Sequence, residues 1–182
     1  MKKLFEVFEN NGTPLYFVGG FVRDKLMGNV PKDVDMTTAA RPDTIQELLT
    51  KMGCPAYTIG ARFGTIGTKY YGQPIEITTF RAEVYTENSR KPVVTFGDTL
   101  EGDLARRDFT INAMAVNSNG DVIDPFNGRE DLHNRIIRAV GNPVDRFTED
   151  PLRVLRAIRF AARYEFDIEE NTLNAMKTLC GG

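Results

Sequence analysis

Apolar positions recur along this chain with two periods, and the switches between them divide it into elements. Leu4, Phe5 and Phe8 stand at helical spacing and predict a packing helix over Met1–Asn10, ended at Asn11-Gly12. Leu15–Val18 is a short apolar run, partly β-branched and aromatic, with the composition of a buried strand. Gly19-Gly20 breaks it, and Phe21, Val22 and Leu26 give the next segment one helical face. Asp33-Val34-Asp35 is expected to be extended, with both carboxylates on one face and Val34 packed behind them. Ile45, Leu48, Leu49 and Met52 predict a helix over Thr44–Met52, with Asp43 or Thr44 as its N-cap. Strands are expected at Ala56–Ile59 and Gly64–Tyr70, a turn at Gly72-Gln73-Pro74, and a further strand at Ile75–Phe80. That last strand alternates, Ile75, Ile77 and Thr79 on one face and Glu76, Thr78 and Phe80 on the other.

Arg81–Asp98 has weak periodicity, many polar residues and the breakers Pro92 and Gly97, and reads as a long loop. Beyond it, Leu104–Val116 is an apolar stretch, and Val122–Val140 reads as strand, Asp-Pro turn, short helix and strand. Phe147–Phe166 predicts a strongly amphipathic helix beginning near Thr148–Asp150, because Pro151 is tolerated only in a first turn. Arg153, Arg156, Arg159 and Arg163 fall within one arc of about 120°, opposite Val154, Leu155, Ala157, Ile158, Ala161 and Ala162.

Composition adds bounds. With 182 residues, 41% hydrophobic and 26% charged, the chain suits one full globular domain and part of another. No apolar run approaches the roughly 18 residues of a membrane span, and no N-terminal apolar core resembles a signal peptide. Cys54, Cys180 and the single histidine, His133, share no metal-ligand spacing. Reduced thiols, a solvated His133 and a cytoplasmic location are the expectations that follow. The chain stops as a helical pattern has begun at Thr178–Gly182, which reads as a fragment or a short relative, and nothing indicates an oligomeric state.

The net charge of −2 fits poorly with an unaided grip on a nucleic-acid backbone. Either the partner is small, or the basic surface is local, or it lies on other sequence.

Three stretches carry chemistry, Leu15–Thr38, Leu104–Val116 and Phe147–Phe166. A strand, a double glycine and a helix aim backbone N–H groups at an anion. Asp33 and Asp35, held on one face, repel unless a cation sits between them; a hard, oxygen-seeking divalent ion fits, and two such ions about 4 Å apart suit phosphoryl transfer. Arg106-Arg107-Asp108 offers guanidinium forks for phosphate and a carboxylate for a ribose hydroxyl. The arginine arc has no interleaved acid beyond Glu149, so it wants an anion. Asp150 and Arg153, three apart, would be helix-surface neighbours. Cytosine and adenine both place an amino donor beside a bare ring nitrogen, so the carboxylate accepts from the first and the guanidinium donates to the second. Uracil and guanine present the reverse order.

The ordered strings G-G-x-x-R-D with D-x-D nine residues on, R-R-D-F-T-I-N, D-P-x-x-G-x-x-D-L and E-D-x-x-R-x-x-R resemble those of nucleotidyltransferases related to DNA polymerase β. More narrowly, they are similar to the bacterial-type (class II) tRNA nucleotidyltransferases, the CCA-adding enzymes, and to poly(A) polymerases. The resemblance implies an α+β head with a mixed sheet flanked by helices over residues 1–142 and the start of an all-helical neck over 143–182. It implies that Asp33 and Asp35 hold Mg²⁺ and catalyse, and that Gly19, Gly20, Arg23 and Arg107 steady a triphosphate. Asp108 would lie near the sugar, while Glu149, Asp150, Arg153 and Arg156 match the nucleotide-selecting motif, with Arg159 continuing it. Either Glu76 or Asp108 would complete the carboxylate cluster, and an exposed strand glutamate is an equal reading of Glu76. The loop holding Tyr85, Arg90 and Pro92 matches the family's flexible loop, and an ordinary surface loop is the alternative. CTP, ATP and the 3′ end of tRNA are the implied partners, and CCA addition the implied activity. A poly(A) polymerase and a nucleotide- or RNA-binding module without turnover are the other readings.

Overall fold

The computed structural model describes residues 1–82 and 95–180. Its centre is a six-stranded mixed sheet made of β1 (Tyr16–Val18), β2 (Val34–Thr38), β3 (Thr65–Tyr70), β4 (Gln73–Thr79), β5 (Ala115–Val116) and β6 (Val122–Ile123), in the spatial order β3-β4-β2-β1-β5-β6. Only β2 and β4 run parallel, and the crossover between them is made by α3 (Pro42–Lys51) and β3. α1 (Lys2–Asn10) and α3 bury Leu4, Phe5, Phe8, Ile45, Leu48 and Leu49 against Val34, Met36, Ile66, Ile75 and Ile77 of the sheet. That face is the core; alternation along β2 and β4 therefore sends Asp35 and Glu76 to the other side. The fold is α+β, with the mixed sheet and flanking helices that the motifs imply.

A second core joins α2 (Gly20–Leu26) to the later helices. Val22, Phe109, Ile111 and Met114 pack with Phe147 of α6 (Pro143–Glu149), with Val154 and Ala157 of α7 (Leu152–Tyr164), and with Ala175 and Met176 of α8 (Glu170–Cys180). The segments on either side of residue 142 thus share apolar contacts. A two-stranded ribbon, β7 (Ile136–Ile137) with β8 (Asp167–Ile168), runs between them. α4 (Leu100–Ala105) is capped by Thr99, whose hydroxyl accepts from the Gly102 N–H at 3.1 Å, and α5 (Gly128–Asn134) follows the Asp124-Pro125 turn.

The structure departs from the sequence pattern in several places. α3 begins at Pro42 with Arg41 as N-cap, since proline at the first helical position fixes φ and has no N–H to leave unpaired. Residues 56–59 form no strand; Tyr57 alone bridges to Gly67. Gln73 and Pro74 belong to β4, and the turn contracts to Tyr71-Gly72, at φ 50° and 78°. Pro74 is tolerated there because β2 first pairs at Ile75. β4 ends at Thr79, so Phe80 lies beyond the strand, and it is buried.

The helix expected over 147–166 is two helices. α6 starts earlier, at the Asn142 cap, and ends at Glu149; Asp150 is extended, at φ −145° and ψ 95°. Pro151 forces this break, because the residue before a proline is driven out of helical φ/ψ. The burial of α7 is rotated from the expected face as well. Arg153 is 6% exposed, whereas Leu155 and Ile158 are 51% and 49% exposed.

Candidate active site

β2 and β4 place Asp35 and Glu76 directly opposite each other in parallel register. Asp33 precedes β2 by one residue rather than lying in it, yet it lines two of the three cavities that Asp35 lines. Burial raises the pKa of Asp35, the charges of Glu76 and then Asp33 raise it further, and Arg107 opposes them. The like-charge repulsion expected of the D-x-D pair is therefore present and includes Glu76. Among the described residues no group of three or more His, Cys, Asp or Glu side chains has the geometry of a metal site. The donors available are the Asp33 and Asp35 oxygens with Glu76 alongside. That set fits a hard divalent cation of the magnesium type, which is ordinarily held by one or two carboxylates and completed by substrate phosphates and water.

On the other side of Asp35 lies a cavity of about 390 Å³ lined by Gly19, Gly20, Arg23, Arg107, Asp108, Asp150, Arg153 and Arg156. Residues from opposite ends of the chain thus meet in one place. Gly19 makes the turn at φ 66° and ψ −137°, and a Cβ there would stand 3.2 Å from Arg107 Nη1. The absent side chain is what lets the guanidinium lie against the turn. Arg159 is exposed on α7 and does not line this cavity.

The poly A polymerase head domain family model matches residues 15–138. The chain belongs to this family. The CCA-adding enzyme of Lactobacillus helveticus (strain DPC 4571) is 47% identical over 175 residues, 96% of this chain and 43% of that protein. The crystal structure of the Bacillus stearothermophilus CCA-adding enzyme in complex with CTP aligns with a TM-score of 0.83 at 40% identity, covering 96% of this chain and 41% of that one. A tRNA nucleotidyltransferase complexed with a primer tRNA and an incoming ATP analog aligns at 0.80 with 36% identity, covering 98% of this chain and 50% of that one. The chain spans less than half the length of the curated relatives it matches. Its sequence falls with the bacterial class II branch.

As a poly A polymerase head, the chain holds its arginines with partners that the motifs did not announce. Asp103, fully buried, accepts from Arg107 Nη2 at 3.0 Å, from Arg106 Nη2 at 3.1 Å and from the Arg81 N–H at 2.9 Å. Its spacing of three and four before Arg106 and Arg107, which follow the end of α4, is the signal that could have found it. Arg23 is engaged internally: Nη1 donates to Asn112 at 2.6 Å and Nη2 to the Tyr164 hydroxyl at 3.2 Å, with the Phe160 ring 5.0 Å away. Arg106 and Asn112, the first and last residues of R-R-D-F-T-I-N, also line the cavity, together with Arg81 and Phe160, which belong to no motif.

Asp108 faces Arg156 across 2.7 Å, while its Oδ1 accepts from the Phe109 N–H and from Asn112. Asp150 and Arg153 share the cavity but are not neighbours on one helix surface. Asp150 accepts from the Leu152 N–H, and Arg153 donates to Glu149 and to the Arg146 and Arg106 carbonyls, each at 3.2 Å. The arginine arc is therefore answered partly by protein: Glu149 holds Arg153 and Asp108 meets Arg156. Tyr85, Arg90 and Pro92 lie outside the described residues. No helix among the described residues is long and apolar enough to cross a membrane.

Proposed function

We propose that this chain is the nucleotidyl-transfer head of a CCA-adding enzyme of the cytoplasm, transferring CMP and AMP from CTP and ATP to the 3′ end of tRNA. The observation that carries the reading is the position of Asp35, which lines the acidic cleft and the arginine-lined cavity together. In this reading Arg107 and the Gly19-Gly20 turn grip the triphosphate, and Arg23 braces that turn from behind. Asp108 and Arg156 approach the sugar, while Asp150 and Arg153 read the base edge. Asp33 and Asp35, with Glu76 beside them, would hold Mg²⁺. Bound there, Mg²⁺ supplies activation of the 3′ hydroxyl and neutralisation of the pyrophosphate leaving group.

The test is primer extension on tRNA lacking its CCA end, with CTP, ATP and both together, beside Asp35→Ala. Two C additions with CTP and a final A with both nucleotides are expected, and none with the variant. A long A tract from ATP alone would point to a poly(A) polymerase. Binding of CTP with no transfer would reduce the chain to a nucleotide-binding module.

A further inference from the structure

The cleft on the far side of Asp35 encloses about 720 Å³, and Asp35 is the one residue it shares with the arginine-lined cavity. Strand register explains what stands in it. Asp35 pairs with Glu76, Glu76 with Gly67, and Gly67 bridges to Tyr57, so the four residues form one row across the sheet, with the side chains of Asp35, Glu76 and Tyr57 on one face and an open position at Gly67. Tyr57 is fixed to the edge of β3 by reciprocal backbone hydrogen bonds with Gly67, at 2.8 and 3.0 Å. A Cβ at Gly67 would stand in ordinary van der Waals contact with the Tyr57 side chain, at 3.4–3.5 Å, so the Tyr57 ring flanks the open Gly67 position. Tyr57 and Glu76 line the same cleft. Tyr57 remains 48% exposed, next to Ile59 at 96%, and Lys69 stands two residues along the Gly67 face of β3.

This is an aromatic platform, an apolar side chain and a cation arranged at one end of a carboxylate row. We infer that Tyr57 is the stacking platform for the 3′-terminal base of the acceptor RNA, with Lys69 beside the strand's backbone. The inference rests on the proposed transfer reaction. There the bond from the acceptor 3′ oxygen to the α-phosphorus forms as the bond to pyrophosphate breaks, and the hydroxyl proton passes to solvent. In-line displacement puts the entering oxygen opposite the leaving pyrophosphate. With the triphosphate on the arginine side, the acceptor enters from the Tyr57 side. Stacking suits the task, because every base has a π-face and an aromatic ring accepts each in turn as the end grows. It also supplies a hold on RNA that does not need a basic surface.

The experiment measures binding of a short single-stranded RNA with 2-aminopurine as its 3′ base, read by fluorescence, with CTP affinity measured in parallel on the same samples. The parent should quench the probe. Tyr57→Ala should weaken RNA binding by about tenfold or more and lose the quench, with CTP affinity unchanged, and Tyr57→Phe should restore both. Equal RNA binding and quench in Tyr57→Ala overturns the inference, as does CTP binding by the parent without RNA binding. Failure of the parent to bind CTP would strike the proposed function itself, and this inference with it.

Discussion

Asp103 is the residue whose removal separates holding the arginines from using them. It is fully buried and receives the Arg107 and Arg106 guanidiniums and the Arg81 N–H. Burial pushes its pKa up, but the charges of Arg107 and Arg106 and the Arg81 hydrogen bond outweigh burial and leave the pKa lowered. Asp103→Ala takes this partner from both arginines and this acceptor from the Arg81 N–H. Breaking a buried pair costs about 3–5 kcal/mol. The two guanidinium side chains are 17% and 19% exposed and regain some hydration, which places the loss near the lower end. A loss of about 3 kcal/mol lowers the melting temperature of a domain this size by roughly 6–12 °C. Arg107→Ala should cost less, about 1–2 kcal/mol, because Asp103 keeps Arg106. Both variants should weaken CTP binding, one by misplacing Arg107 and the other by deleting it. Thermal melting and CTP titration on the three proteins measure this. Asp103→Ala melting with the parent, or Arg107→Ala proving the less stable, would refute the argument. The pH dependence follows in sign: a lowered carboxylate contributes stability that is present above its unfolded value near pH 4 and is lost as pH falls through the folded value.

Asp35→Asn should work in the opposite direction. It removes a charge that burial, Glu76 and Asp33 all oppose, so the metal-free chain should gain about 0.5–2 kcal/mol at neutral pH. That gain should vanish as pH falls through the raised pKa, where the parent is protonated too. Transfer should be lost, as should any rise in melting temperature on adding Mg²⁺; a less stable variant at neutral pH would contradict the electrostatic reading. Gly19→Ala should lose about 1–3 kcal/mol from its left-handed φ and bind CTP more weakly, because its methyl presses on Arg107. Unchanged melting and unchanged CTP affinity would count against the turn.

Elements that bury one face were legible from period alone. The strand Leu15–Val18, the helix carrying Leu4, Phe5 and Phe8, and the core side of β4 follow from apolar spacing and lie where it puts them, apart from end residues. Val34 faces the core between Asp33 and Asp35 for the same reason. The region around Asp150 was not legible, because two signals conflict there. Apolar and arginine spacing runs continuously from Phe147 to Phe166, but Pro151 interrupts the backbone, and the break swings Arg153 inward against Glu149 and the Arg106 carbonyl. Its partners include a residue nearly fifty positions away, which a helical projection does not contain. Asp103 escaped for a related reason: a lone buried acid carries no motif, although its spacing to Arg106 and Arg107 was available. The carboxylate row, by contrast, needed pairing of β2 with β4, and a parallel register is not written in either strand.

The central claim is that the cavity beside Asp35 admits a nucleotide and selects its base, and the most direct measurement is the affinity of this chain for each of the four nucleoside triphosphates by calorimetry. A mismatched base sets its carbonyl against the Asp150 carboxylate and its ring N–H against the Arg153 guanidinium, so CTP and ATP should bind more tightly than UTP and GTP by about 1–3 kcal/mol, roughly ten- to hundredfold. Measurable binding with equal affinity for all four would contradict it, and the cavity would then be a triphosphate grip without a reading head.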